Sequence, residues 1–235
     1  MVFDRYLPNS IKGVTRAKRK TGKSKGIRRD VESRKQRNGS RDRFIVVEEK
    51  KARLAHFLLT EMSQRKGTHP GRELVVSGGF IEILKVWSYD ASRESLQGLS
   101  SDHEEADTRI VLHTRELAVR GYQQVNVLCR DPDVLVLLLA QRKYLCQEIW
   151  MVSGISRTKR FIPAHKISLA EEKRKSLLAF HTITGCDTTS QFAGISKQSA
   201  LKIFDSYLKL IEYQGVHCPP EESVLADAEA FVCQL

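Results

Sequence analysis

Apolar positions along the chain repeat with two different periods, and the period separates helices from strands. From Glu48 to Met62 the spacing of Leu54, Phe57, Leu58 and Met62 predicts one helical face. Glu73 to Ser77 reads as a strand stopped by Gly78-Gly79, and Phe80 to Trp87 alternates like a second. Ser101 or Asp102 is placed to cap a helix running from His103 to about Arg120 and closed by Gly121. Gln124 to Cys129 is then a strand, the run after Pro132 a buried helix opened by proline in its first turn, and Glu148 to Ser153 another strand. Arg160 to Pro163 suits an edge strand, Glu171 to Thr184 a helix ended by Gly185, and Ser196 to about Ile211 a helix after a glycine-centred turn. Glu222 to Val232 closes the series as an amphipathic helix after Pro219-Pro220. Strands alternating with helices predict an α/β fold with a parallel sheet, whose functional residues gather beyond the carboxyl ends of the strands.

Charge changes this picture at one place. The 235 residues carry 39 Lys plus Arg against 28 Asp plus Glu, and the imbalance lies between Lys12 and Arg43, which hold fourteen bases and three acids. Elsewhere the charges balance. A segment so cationic, with few large apolar residues, cannot build a core, and Lys12, Arg16, Lys18, Arg19 and Lys20 point to a polyanion such as nucleic acid as its partner. A solvated loop or a nuclear localisation signal is the plainer explanation for the same residues. The longest apolar run, Val134 to Ala140, is far below the roughly 20 residues of a membrane span. The N-terminus lacks a secretory pattern, so an intracellular, nuclear address without a membrane partner is the expectation. Five widely spaced cysteines signal neither a disulfide framework nor a zinc site, and reduced, mostly buried thiols are expected.

Carboxylates recur where strands end or helices begin. Asp4 follows Met1 to Phe3, which would suit the end of a buried strand; Glu105 and Asp107 lie in HEEADTR, Asp131 and Asp133 in CRDPDVL, and Asp187 in GCDTT. Capping accounts for one acid at the start of a helix, and less readily for a pair spaced i, i+2. Carboxylates gathered in a cleft repel each other, and hard divalent cations are the usual resolution. Separate caps and surface acids remain the competing interpretation.

The order of these motifs resembles the flap-endonuclease-like branch of the PIN-domain nucleases over almost the whole chain. Val2-Phe3-Asp4 with Pro8 and the basic stretch is similar to the family's second-strand motif and its helical arch, Glu105-Ala106-Asp107 to its E-A-E helix, Asp131-Pro132-Asp133 to its D-x-D and Gly185-Cys186-Asp187 to its G-x-D. Phe192 to Ala200, with Gly194, Ile195, Ser196 and Lys197, resembles the helix-two-turn-helix that meets duplex phosphates, often with a bound potassium ion. More narrowly, HEEADTR, the F-I-P-A-H segment and FHTITGCDTTS resemble an animal branch associated with mobile elements.

The resemblance implies a three-layer, PIN-like (Rossmann-like) α/β fold with helices on both faces of a parallel sheet. Residues 1–11 and 44–190 would form the nuclease core, 12–43 a basic arch-like or disordered insertion, and 191–235 the helix-two-turn-helix and last helix. It further implies a structure-selective DNA endonuclease that uses two Mg2+ or Mn2+ ions, held by Asp4, Glu105, Asp107, Asp131, Asp133 and Asp187, on branched or flap DNA. The chain departs from the family by starting immediately before the second strand, without the first-strand Asp. A catalytically impaired nucleic-acid-binding protein derived from such a nuclease is therefore the alternative, and a protein-interaction scaffold a third. His103, His165 and His181 are expected to be structural, Trp87 and Trp150 to belong to the core, and Lys197 and Lys202 to be either phosphate contacts or solvated helix lysines.

Overall fold

The computed structural model describes residues 1–6, 10, 48–64, 72–89, 93–215 and 217–235. They form a mixed α/β protein of seven α-helices and two small sheets, gathered into two units, Met1–Glu116 and Leu117–Leu235. No helix among the described residues is long and apolar enough to cross a membrane. The basic segment, with Lys12, Arg16, Lys18, Arg19 and Lys20, lies outside the described residues.

The first unit contains helix α1 (Glu48–Ser63), the antiparallel strands β1 (Leu74–Ser77) and β2 (Val86–Tyr89), and the start of helix α2 (Ala106–Val119). Residues 1–3 run beside β1 through a parallel bridge between Val2 and Ser77, as expected of a strand end delivering Asp4. Gly78, at φ +75°, makes this possible, because a Cβ there would lie 2.1 Å from the Phe3 carbonyl oxygen. The helix α1 starts where expected, but its buried apolar residues are Ala55 and Leu59 rather than Leu54 and Leu58, and Leu58 is exposed. Strand β2 begins at Val86 instead of Phe80. The alternation before it covers bends and a turn closed from Lys85 N–H to Glu82 O, leaving Ile81, Ile83 and Leu84 exposed.

Helix α2 begins at Ala106, three residues later than expected. The buried guanidinium of Arg109 supplies the reason: it donates to His103 O at 2.9 and 2.6 Å and to Ser101 O at 3.1 Å. Those bonds hold the preceding carbonyls in a non-helical path.

The second unit is built on strand β3 (Gln124–Leu128), helix α3 (Pro132–Ala140), strand β4 (Glu148–Ser153) and strand β5 (Arg160–Pro163). Strands β3 and β4 are parallel and β5 pairs antiparallel on the far side of β4, so this sheet is not wholly parallel. Val125, Val127, Ile149 and Met151 are buried on one face, and Val134 and Leu138 of α3 are fully buried. Four more helices follow: α4 (Glu171–Ile183), α5 (Lys197–Phe204), α6 (Leu208–Ile211) and α7 (Glu222–Val232). The single helix expected from Ser196 to Ile211 is broken after Phe204, where Ser206 and Tyr207 make short-range bonds to Ile203 and Phe204. The break lets Phe204 and Ile211 both enter one core with Ala179, Phe180, Ala200 and Phe231. Among rings in that core, Phe180 and Phe204 stand 4.3 Å apart, centroid to centroid.

Trp87 and Trp150 are half-buried, and Trp150 meets His165 edge-on at 5.2 Å. His165 also hydrogen-bonds the Ile149 backbone, a structural role as expected. None of the five cysteines is joined in a disulfide, but only Cys146 is buried; Cys129 and Cys186 are half-buried and Cys218 and Cys233 exposed, against the expectation of mostly buried thiols.

Candidate functional site

In the first unit the extended N-terminal residues bring Asp4 to the start of α2. Ser77 N–H donates to Met1 O at 3.1 Å and Phe3 N–H to Ser77 O at 3.0 Å; one residue later Asp4 Oδ1 accepts from Ala106 N–H at 2.8 Å. Arg5 N–H donates to Glu104 O at 2.8 Å, fixing the same approach. A helix start has backbone N–H groups without intrahelical partners and a partial positive charge, so a carboxylate is stabilised there. Glu105 directly precedes α2 and Asp107 lies in its first turn, both half-buried. Segments about a hundred residues apart in sequence thus meet at one helix end. His103, beside them, is exposed.

Behind this end lies a pair that the sequence did not single out. Ser77 is fully buried, and its Oγ sits 2.7 Å from His113 Nε2. Burial, then the Met1 ammonium and Arg109, lower the His113 pKa to about 4, so the ring is neutral at neutral pH. The helical spacing of Arg109 and His113 is the only signal the sequence offers for it.

In the second unit the carboxyl end of β3 passes through Cys129 and Arg130 to Asp131. Asp131 is the N-cap of α3, with Oδ1 accepting from Asp133 N–H at 3.0 Å, and Pro132 follows at the first helical position. Asp133 has a different partner: its Oδ1 lies 3.3 Å from Nε2 of His181, in the last turn of α4. His181 is thus more than the isolated structural residue expected from its spacing.

The loop after α4 carries Asp187, half-buried, in a defined turn. Gly185 has φ +97°, and a Cβ there would stand 2.8 Å from Gln191 Cβ. Thr189 Oγ1 donates to Thr182 O at 2.7 Å and accepts from Cys186 N–H at 3.0 Å. Burial pushes the Cys186 thiol up, but hydrogen bonds with Thr188 and Thr189 outweigh it and bring the thiol below its ordinary value.

Beyond that turn, Gly194 has φ +79° with open space where a Cβ would be, and Ile195 is half-buried against the helical core. Ser196 caps α5 reciprocally with Ser199: its Oγ accepts from Ser199 N–H at 3.0 Å, and its own N–H donates to Ser199 Oγ at 3.0 Å. The Lys197 ammonium turns back to α4 and donates to His181 O at 2.7 Å and Thr184 Oγ1 at 2.9 Å. Burial lowers its pKa, with Cys186 and Asp133 opposing. A cation at the carboxyl end of a helix is favourable. Lys202 is exposed.

Asp4, Glu105 and Asp107 therefore belong to the first unit, and Asp131, Asp133 and Asp187 to the second. Among the described residues no group of three or more His, Cys, Asp or Glu side chains is arranged to hold a metal ion. Comparison of the chain with protein-family models, with curated proteins and with solved structures gives no match.

Proposed function

We propose that the chain is a divalent-metal-dependent nuclease of the flap-endonuclease type, acting on branched DNA. The observation that carries the reading is the hydrogen bond from Ala106 N–H to Asp4 Oδ1, which brings an N-terminal acid to the helix of Glu105 and Asp107 in the motif order of such enzymes. Asp131 and Asp133 at the carboxyl edge of β3 are the second support. Asp4, Glu105, Asp107, Asp131, Asp133 and Asp187 are the residues that would hold Mg2+ or Mn2+. Their oxygen donors suit hard cations, although no three of them are gathered within the described residues. Two such ions, when bound, supply an activated water and stabilise the leaving oxygen of a phosphodiester. In the same reading the β3–α3–β4 unit belongs to a three-layer PIN-like sheet. The turn from Gly194 to Lys197 is part of a helix-two-turn-helix with a potassium ion, the basic segment gathers phosphates, and the protein works in the nucleus.

The test is cleavage of a 5′-flap DNA in Mg2+ by wild type, Asp131→Asn and Asp187→Asn. Cleavage by the wild type alone, with DNA binding retained in both variants, is expected; equal rates in all three remove the proposal.

A second reading, a nucleic-acid-binding protein that has lost catalysis, is favoured by the present partners of the acids: Asp131 caps α3, and Asp133 faces His181. Salt-sensitive DNA binding without metal-dependent cleavage would select it.

A further inference from the structure

The carboxyl end of α4 is closed by side chains, and one of them comes from another helix. Thr184 Oγ1 donates to Phe180 O at 2.6 Å and Thr189 Oγ1 to Thr182 O at 2.7 Å, both from the loop that follows. His181 O, between them, is held from sixteen residues away: Lys197 Nζ donates to it at 2.7 Å, and to Thr184 Oγ1 at 2.9 Å. Lys197 is the first residue of α5, whose cap is made by Ser196 and Ser199 between themselves. A cation is disfavoured at a helix start and favoured at a helix end, so the ammonium gains by reaching back to α4.

His181 faces α3 with its ring, Nε2 standing 3.3 Å from Oδ1 of Asp133. The neighbouring Asp131 carboxylate caps α3, which leaves Asp133 as the acid of the pair that meets α4. One lysine thus fixes the backbone of the residue whose ring bears on Asp133, and the same helix end leads through Gly185 into the loop of Asp187. All of these residues lie in the second unit. Asp133 also resists the lowering of the Lys197 pKa by burial, so the ammonium and the carboxylate act on each other as charges. Ordering a long side chain and drying its ammonium both cost free energy, a cost that a solvated helix lysine does not bear.

We propose that Lys197 is a positioning residue: by fixing His181 it sets the ring that bears on the Asp133 carboxylate, and it is neither a phosphate contact nor a solvated lysine. The inference rests on the proposed function, in which Asp133 holds a divalent ion, and adds His181 and Lys197 behind that acid. Groups that orient a metal-binding carboxylate raise its affinity for the ion. A bare cation nearby does the opposite, since like charges repel. Position and charge therefore give effects of opposite sign when the lysine is removed.

The experiment titrates the full chain with Mn2+, read by electron paramagnetic resonance, for wild type, Lys197→Met, His181→Gln and the double variant, each checked for folding by circular dichroism. His181→Gln is expected to weaken Mn2+ binding by about 10- to 100-fold and Lys197→Met by about 10-fold. The double variant is expected to bind no more weakly than His181→Gln alone, because the lysine acts through the histidine. If Lys197→Met does not fold, Lys197→Gln carries the same expectations. In EDTA, the affinity of Lys197→Met for duplex DNA keeps the wild-type dependence on salt. Tighter or unchanged Mn2+ binding in Lys197→Met, or losses that add in the double variant, overturn the inference. So does a dependence of log affinity on log salt flattened by about 0.9, the mark of one lost phosphate contact. These outcomes leave the nuclease proposal in place, whereas a wild-type chain that binds no Mn2+ removes both. The expected Mn2+ pattern without DNA cleavage leaves the inference standing and removes only the nuclease.

Discussion

The neutral, buried histidine at position 113 makes the first unit sensitive to acid. In the unfolded chain the ring titrates at the ordinary value of 6.5, and in the fold at about 4, chiefly because burial disfavours the charged form. Between those values the unfolded chain takes up a proton that folded His113 refuses, so stability falls as pH falls. The contribution is complete above pH 6.5, declines toward pH 4 and changes no further below it. A gap of about 2.5 units at 1.36 kcal/mol each gives about 3 kcal/mol, and partial exposure of the ring reduces this to roughly 2 kcal/mol. The assay is urea denaturation from pH 7.5 to 4, followed by Trp87 fluorescence in a Trp150→Phe background so that the signal comes from the first unit. Other carboxylates titrate in the same range, so the informative quantity is the difference between wild type and His113→Gln. That difference is expected to shrink in favour of the variant by roughly 2 kcal/mol as pH falls from 6.5 to 4. Parallel pH profiles for the two proteins would refute the reasoning.

Other residues give narrower expectations. Arg109→Ala removes a buried guanidinium from two backbone carbonyls and should cost about 3 kcal/mol or more, read as a lower urea midpoint, with Arg109→Lys failing to rescue it because an ammonium lacks the planar fork. Gly185→Ala combines a left-handed φ of +97° with a contact of 2.8 Å to Gln191 and should lower stability by about 1 to 3 kcal/mol in the same measurement. Asp131→Ala should cost about 1 kcal/mol through loss of the N-cap while Asp131→Asn, which still accepts a hydrogen bond, costs a few tenths; a cleavage assay that finds both inactive would separate capping from chemistry.

The parts of the fold legible in the sequence are those where local chemistry and burial agree. Proline after an apolar strand, with an aspartate before it, announces β3, Asp131 and α3 together. The helices α4 and α7 follow from their apolar spacing and the glycine or proline beside them. Elements set by distant groups were not legible. The late start of α2 depends on Arg109 reaching back over the preceding loop, and the break after Phe204 serves the placement of Phe204 and Ile211 in a shared core. The apolar alternation of residues 80–84 imitates a strand, though tight backbone at Gly78 and Gly79 turns the chain there. Position relative to helix starts made the candidate acids visible. Their partners were not, since His181 and Ala106 are neighbours of Asp133 and Asp4 only in space.

The central claim is that these carboxylates bind divalent ions. Its most direct test is titration of the purified full chain with Mn2+, counting bound ions by electron paramagnetic resonance, for wild type, Asp4→Asn and Asp131→Asn. Saturable binding by the wild type that is weakened in both variants is predicted. A wild-type chain that leaves all Mn2+ free, or variants that bind it as well as the wild type, would contradict the account.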